Sequence, residues 1–274
     1  MTDASIQSRR VVDALVDEWR QIADLMRDRS EEHWHRRSIL PGWTVQDIVA
    51  HVIGTESMLA GESAPPADRD LAESPHVKND IAAMNEQWVD SMRGLRPAEM
   101  LDRFGAITTR RAASLASMSQ QEFDAPSWTP AGKADYKRFM QIRVYDCWLH
   151  EQDIRDTFEE PGNDSGPQAE ITVDEIVLAL GFIVGKKAGA PDGTTVTIGL
   201  TGGVNRTINV AVNGRASVVD RLESPADVTI RLQSGLFVRV AGGRVDPEVA
   251  LTHTDLTGDR DLGTRVMTAL PFTI

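Results

Sequence analysis

The apolar residues of this chain change their spacing partway along it, and that change requires two differently built halves. In the first half they recur every three or four residues, as on helices. Beyond about residue 190 they alternate, as on strands. Between the two regimes EEPGNDSGPQ, residues 159–168, gathers Gly, Pro, Asn, Asp and Ser and reads as a linker. The expected domains are therefore 1–160, all helical, and 168–274, α+β.

Within the first half, Val12, Leu15, Trp19, Ile22 and Met26 form one apolar stripe. After the turn LPGW, Thr44 is placed to cap a second helix with Asp47 at the third helical position, a capping-box pattern. That helix carries Val45, Ile48, Val49, Val52 and Ile53 on its apolar side. Helical stretches follow at 79–92 and within 96–119, and a last one runs from Ala134 to Thr157 with no Gly or Pro to stop it. Residues 62–75 and DAPSWTPAGK (124–133) read as polar loops, and the long helices between them suggest a four-helix bundle. In the second half a helix is expected at about 172–188. TTVTIGL, RTINVAV, ASVVD, DVTIRL and TDLTGD then read as strands, LFVRVAG and PEVALT as short helices or turns, and LGTRVMTAL as a terminal helix.

A formal charge of −12 argues against nonspecific binding to nucleic acid or to an anionic membrane, since like charges repel. The N-terminus has the rhythm of an amphipathic helix rather than a signal peptide. The longest apolar run, IVLALGFIVG at 176–185, is shorter than the ~20 residues of a spanning helix. With a single cysteine there is no intrachain disulfide, and a cytoplasmic location is expected.

Phosphate-cradling loops and the GxSxG elbow are absent, and HEQDI at 150–154 begins like HExxH but ends in isoleucine. Cys147, among Val144, Tyr145 and Trp148, reads as a packed structural cysteine. His33 and His35 lie in a polar helix end and read as solvated, while His76 and His253 have no obvious partner. His51 differs, because DIVAHVIG surrounds it with aliphatic residues, and a buried imidazole needs a hydrogen bond, a charge or a metal. In RVYDCWLHEQDIRD, 143–156, Asp146 and His150 share one helix face, which Arg143 and Asp153 extend. If that face meets His51, two imidazoles and one carboxylate surround a point, a set that suits zinc or nickel and leaves a coordination position open. The same spacing also fits a modest surface pair, and spacing alone leaves both readings standing.

LPGWTVQDIVAHVIGTE at 40–56, followed about a hundred residues later by RVYDCWLHEQDIRD, resembles the mycothiol-dependent maleylpyruvate isomerase family over nearly the whole chain. The resemblance implies a DinB-like metal-binding four-helix bundle followed by a small α+β domain of sterol-carrier-like shape. It implies His51, Asp146 and His150 as ligands of a divalent metal, zinc first. The described isomerase pattern has glutamate at the position of Asp146, one methylene longer. Mycothiol is implied as the thiol cosubstrate, added to or transferred to an electrophilic small molecule. Cys147 sits beside Asp146 and so points off the metal face, which requires the thiol to come from outside. Arg143 is expected to hold a substrate carboxylate or to pair with a nearby acid. Asp153 and Asp47 are candidates to orient His150 and His51, with capping as the alternative role of Asp47. Family enzymes can bring an arginine from the C-terminal domain, and Arg215, Arg239 and Arg244 are available here. The alternative is a non-catalytic binding protein in which the second domain holds an apolar ligand and the metal is structural or vestigial.

Overall fold

The computed structural model describes residues 3–67, 71 and 74–272, which form two compact units, 1–162 and 163–274. Unit 1 opens with α1 (Asp3–Met26), whose stripe of Val12, Leu15, Trp19, Ile22 and Met26 is buried as the spacing demands. A short α2 (Glu31–Trp34) leads to α3 (Val45–Leu59), then α4 (Asp80–Asp90), α5 (Pro97–Ser117) and a turn of helix, α6 (Gln120–Phe123). Strands β1 (Pro126–Thr129) and β2 (Gly132–Asp135) form a hairpin before the long α7 (Tyr136–Phe158).

The helix α1 packs on α5 and α7, and α3 packs on α4, α5 and α7, which makes α1, α3, α5 and α7 the bundle. Close approach of α3 to α4 rests on Gly54, where an added Cβ would lie 2.4 Å from the Cβ of Trp88. Nearly all sides of α7 are buried, so its polar residues sit in the bundle interior rather than on a solvated face.

Residues 124–133, expected to be a loop, hold that hairpin instead, with Trp128 paired to Lys133 and Thr129 to Gly132. The turn forms because Gly132 adopts φ +95°, a left-handed conformation that costs other residues energy. Asp135 then caps α7 by accepting a hydrogen bond from the Arg138 amide at 2.7 Å, which starts that helix at Tyr136 rather than Ala134.

Unit 2 begins with α8 (Pro167–Phe182), which opens five residues earlier than expected because Pro167 occupies its first position, and ends in a π-helical turn, Ile183–Lys187. Strands β3 (Thr195–Thr201), β4 (Arg206–Asn213), β5 (Arg215–Val219), β6 (Val228–Gln233) and β7 (Asp255–Gly258) form one sheet in the order β5-β4-β3-β6-β7. Only the β3–β6 pair is parallel, with Val196, Ile198 and Leu200 opposite Val228, Ile230 and Leu232. These six side chains are buried and alternate with more accessible neighbours, the period-two signature of a sheet with one face in the core. Helices α8, α9 (Ser234–Ala241) and α11 (Arg260–Ala269) pack on the sheet, with α10 (Pro247–Leu251) beside α9 and α11. No helix among the described residues is long and apolar enough to cross a membrane.

Candidate metal centre

The site begins at the turn before α3. Gly42 adopts φ +83°, and an added Cβ there would lie 2.4 Å from Nδ1 of His76, so the turn tolerates only glycine. Thr44 and Asp47 then close the capping box: Thr44 Oγ1 accepts from the Asp47 amide at 3.3 Å and Asp47 Oδ2 accepts from the Thr44 amide at 2.8 Å. Asp47 Oδ1 also accepts from Arg93 Nε at 3.1 Å. Capping and this ion pair thus engage Asp47, and Nδ1 of His51 is buried with no hydrogen-bond partner.

From α3, His51 projects toward α7, where Arg143, Asp146, His150 and Asp153 follow one another at three- and four-residue steps. His51 Nε2 lies 3.2 Å from Asp146 Oδ2, and His150 Nε2 lies 3.7 Å from Asp146 Oδ1. The two imidazoles meet edge to face with centroids 4.9 Å apart. One donor atom from each of the three residues falls within 4.8 Å of the others. A tetrahedral zinc with bonds of ~2.0–2.2 Å spaces its donors about 3.4 Å apart, and the His51–Asp146 separation of 3.2 Å lies close to that edge length. Both histidines are buried, whereas the Asp146 side chain is 29% accessible and marks the open corner.

The electrostatics suit a cation. Burial pushes Asp146 upward, but Arg143, His51 and His150 outweigh it and hold its carboxyl well below the usual carboxylate range. Burial lowers His51 below its ordinary value against the opposing pull of Asp146, which favours the neutral imidazole that a metal requires. His150 Nδ1 pairs with Asp153 Oδ2 at 2.9 Å, which leaves its Nε2 for the triad and fixes the ring.

Arg143 is engaged by acids on both sides, giving Nε to Glu56 Oε1 at 2.8 Å and Nη1 to Asp146 Oδ2. Its Nη2 also lies 3.3 Å from the sulfur of Cys147. Burial pushes the Cys147 thiol well above its ordinary value, so it stays protonated and inert. Arg215 lies on β5 and Arg239 on α9. Arg244, just beyond α9, turns its Nη1 onto the Gly242 carbonyl at 2.6 Å.

Several residues around the triad were not singled out from the sequence. Trp43, half-buried, lies with its ring 5.5 Å from that of His51 and 6.1 Å from that of His150. Its Nε1 donates at 3.0 Å to Glu86, a fully buried carboxylate that also receives Arg93 Nη2 at 2.7 Å. Glu86 pairs with His76 Nε2 at 2.8 Å too, so His76, which had no obvious partner in the sequence, braces the wall of the site. The only sequence signal for these contacts was Trp43 in the LPGW turn and a carboxylate, Glu86, two residues before Trp88 on an amphipathic helix. Of the remaining histidines, His33 meets Ser30 Oγ at 2.7 Å and the edge of Phe158, while His35 and His253 are exposed.

Comparison with known proteins agrees with this architecture. Residues 15–155 match the mycothiol maleylpyruvate isomerase N-terminal domain, and residues 170–265 match the C-terminal domain of the same family. No protein of curated function matches the sequence significantly. Among solved structures, a mycothiol-dependent maleylpyruvate isomerase superposes with a TM-score of 0.57 at 15% identity, over 89% of this chain and 93% of that one. A histidine-to-alanine mutant of such an isomerase gives 0.56 at 14% identity, over 94% and 96%. At these identities the superpositions establish a shared fold, and the match of both domains in sequence makes the chain a member of the mycothiol maleylpyruvate isomerase family.

Proposed function

We propose that His51, Asp146 and His150 hold a divalent cation, zinc first, and that the chain is an enzyme delivering mycothiol to an electrophilic small molecule by transfer or reversible addition. The observation that carries this reading is the convergence of three donor atoms from two helices within 4.8 Å, with two buried imidazoles and one accessible carboxylate corner. Three protein donors with a side open is the arrangement of catalytic rather than structural zinc. A cation held there would supply the charge that converts a thiol, only a few per cent ionised at neutral pH, into a directed thiolate.

The protein's own groups divide the remaining work. Asp153 sets the ring of His150, and Arg143 sets the carboxylate of Asp146. With Arg143 committed to two acids, recognition of an anionic substrate falls to groups other than its guanidinium. The indole of Trp43 lies against both imidazoles and limits what can approach them. Cys147, buried and protonated, supplies no competing nucleophile, so the reacting sulfur enters from outside.

The test is metal analysis of the purified protein alongside consumption of mycothiol in the presence of a general electrophile. Wild-type protein should carry close to one equivalent of metal and turn over, whereas His51→Ala and His150→Ala should lose both while keeping their helix content. Full metal occupancy in both variants, or a metal-free wild type that retains an apolar ligand, overturns the reading.

A further inference from the structure

Behind the triad lies a second layer of charge that ordinary packing does not explain. Glu56, on α3 and five residues beyond His51, is fully buried, and each of its oxygens receives a different arginine. Arg143 Nε donates to Oε1 at 2.8 Å, and Arg111 Nε, from α5, donates to Oε2 at 2.9 Å. Arg111 in turn gives Nη2 to the hydroxyl of Tyr136 at 3.0 Å. Both arginines are buried, at 2% and 3% exposure. Buried ion pairs are a poor means of stabilising a bundle, because desolvation cancels most of their attraction and apolar residues of similar size do as well or better. This cluster has an outlet: the far arm of the Arg143 guanidinium grips Asp146 Oδ2.

We infer that Glu56 is a positioning residue for the metal centre, clamping Arg143 so that its rigid fork fixes the carboxylate of Asp146. This rests on the cation reading given above. The guanidinium is planar, so fixing Nε fixes the direction of Nη1. With Oδ2 held, Oδ1 is left toward His150. Charge points the same way. Glu56 and Asp146 balance Arg111 and Arg143, so no surplus positive charge faces an incoming dication. Removal of the Glu56 charge leaves one surplus, and removal of its shape lets the Arg143 fork turn.

Glu56→Gln is the direct probe, with affinity for zinc measured by chelator competition and geometry by the visible absorption of the cobalt-substituted protein. Affinity should fall 10–100-fold, the range for outer-shell partners of a metal site, and the cobalt bands should shift. Because Glu56→Gln leaves two arginines poorly paired, can fail to fold and still offers Arg143 one oxygen, Glu56→Leu with Arg111→Met restores the charge balance while freeing Arg143. That variant should show the same loss and the same spectral shift. Wild-type affinity and an unchanged cobalt spectrum in either folded variant overturn the positioning role. A wild type that binds neither cation overturns the cation reading itself, and the role of Glu56 falls with it.

Discussion

The two units bury different kinds of residue. Among the described residues, the interior of unit 1 holds Glu18, Asp47, His51, Glu56, Glu86, Arg111, Arg143, His150, Glu151 and Asp153, whereas the only ionisable side chain buried in unit 2 is Glu175. The sheet of unit 2 is built on Val196, Ile198, Leu200, Val228, Ile230 and Leu232, where shape and apolar area decide stability. Unit 1 keeps charges in a low-dielectric interior, where each must be satisfied by a partner or by a ligand. The difference teaches that α3 and α7 are shaped by chemistry at the expense of packing, and that the sheet is shaped by packing alone.

The contrast is sharpest if one large-to-small change is made in each unit. Ile230→Ala, in the middle of the sheet core, should destabilise the fold by about 2–5 kcal/mol in denaturant unfolding. His51→Ala, equally buried, should change stability of the metal-free protein far less, because it removes a side chain whose Nδ1 has no partner. A loss in His51→Ala as large as that in Ile230→Ala would break the distinction. Next in size, Asp153→Ala should weaken zinc affinity 10–100-fold by freeing the ring of His150, with little effect on helix content measured by circular dichroism.

Glu18 offers a pH-dependent form of the same comparison. Neither of its oxygens receives a hydrogen bond, and burial together with the neighbouring Glu151 pushes its carboxyl well above its ordinary value near 4.5. The folded state therefore keeps a proton that the unfolded state releases, so this group's contribution is fully present below pH ~4.5 and is lost as pH rises toward its raised native value. Glu18→Gln should be more stable than wild type at pH 7 and no different below pH ~4.5 in denaturant unfolding. Equal stability of the two proteins at pH 7 would mean that Glu18 is ionised and paired in the fold. Smallest of all, Asp146→Glu should retain zinc, since one added methylene keeps a carboxylate on the same face of α7. Complete loss of metal in that variant would show that the spacing of α3 and α7 is set for the shorter side chain.

Much of this was legible in the sequence, for physical reasons. The stripe on α1 and the strands of unit 2 declared themselves because burial on one face imposes a period. The Thr44–Asp47 cap was readable because it is local. The three residues that meet at the candidate centre stood out because two of them share a helix face and the third sits alone among aliphatics, but the family resemblance, not the spacing, singled out the metal reading. What stayed hidden depends on partners far along the chain. Glu56 meets Arg111 and Arg143, 55 and 87 positions away, and no local pattern marks that pairing. Trp43 looked like a turn residue until Glu86, 43 positions on, was seen to hold its N–H. The hairpin at 126–135 was missed because its strands are four residues each, with a proline at the start and no β-branched alternation.

Since Asp146 and His150 ride on α7 with Arg143 and Asp153, that helix carries most of the centre as one rigid piece, and α3 brings both His51 and Glu56. Assembly of the site thus reduces to a single mechanical adjustment, the seating of α3 against α7. A slip of one residue moves a helix by about 1.5 Å, several times the ~0.2 Å tolerance of a metal–ligand bond. Gly54, which lets α3 lie flush on Trp88 of α4, thereby helps to seat the helix that delivers His51 to the centre.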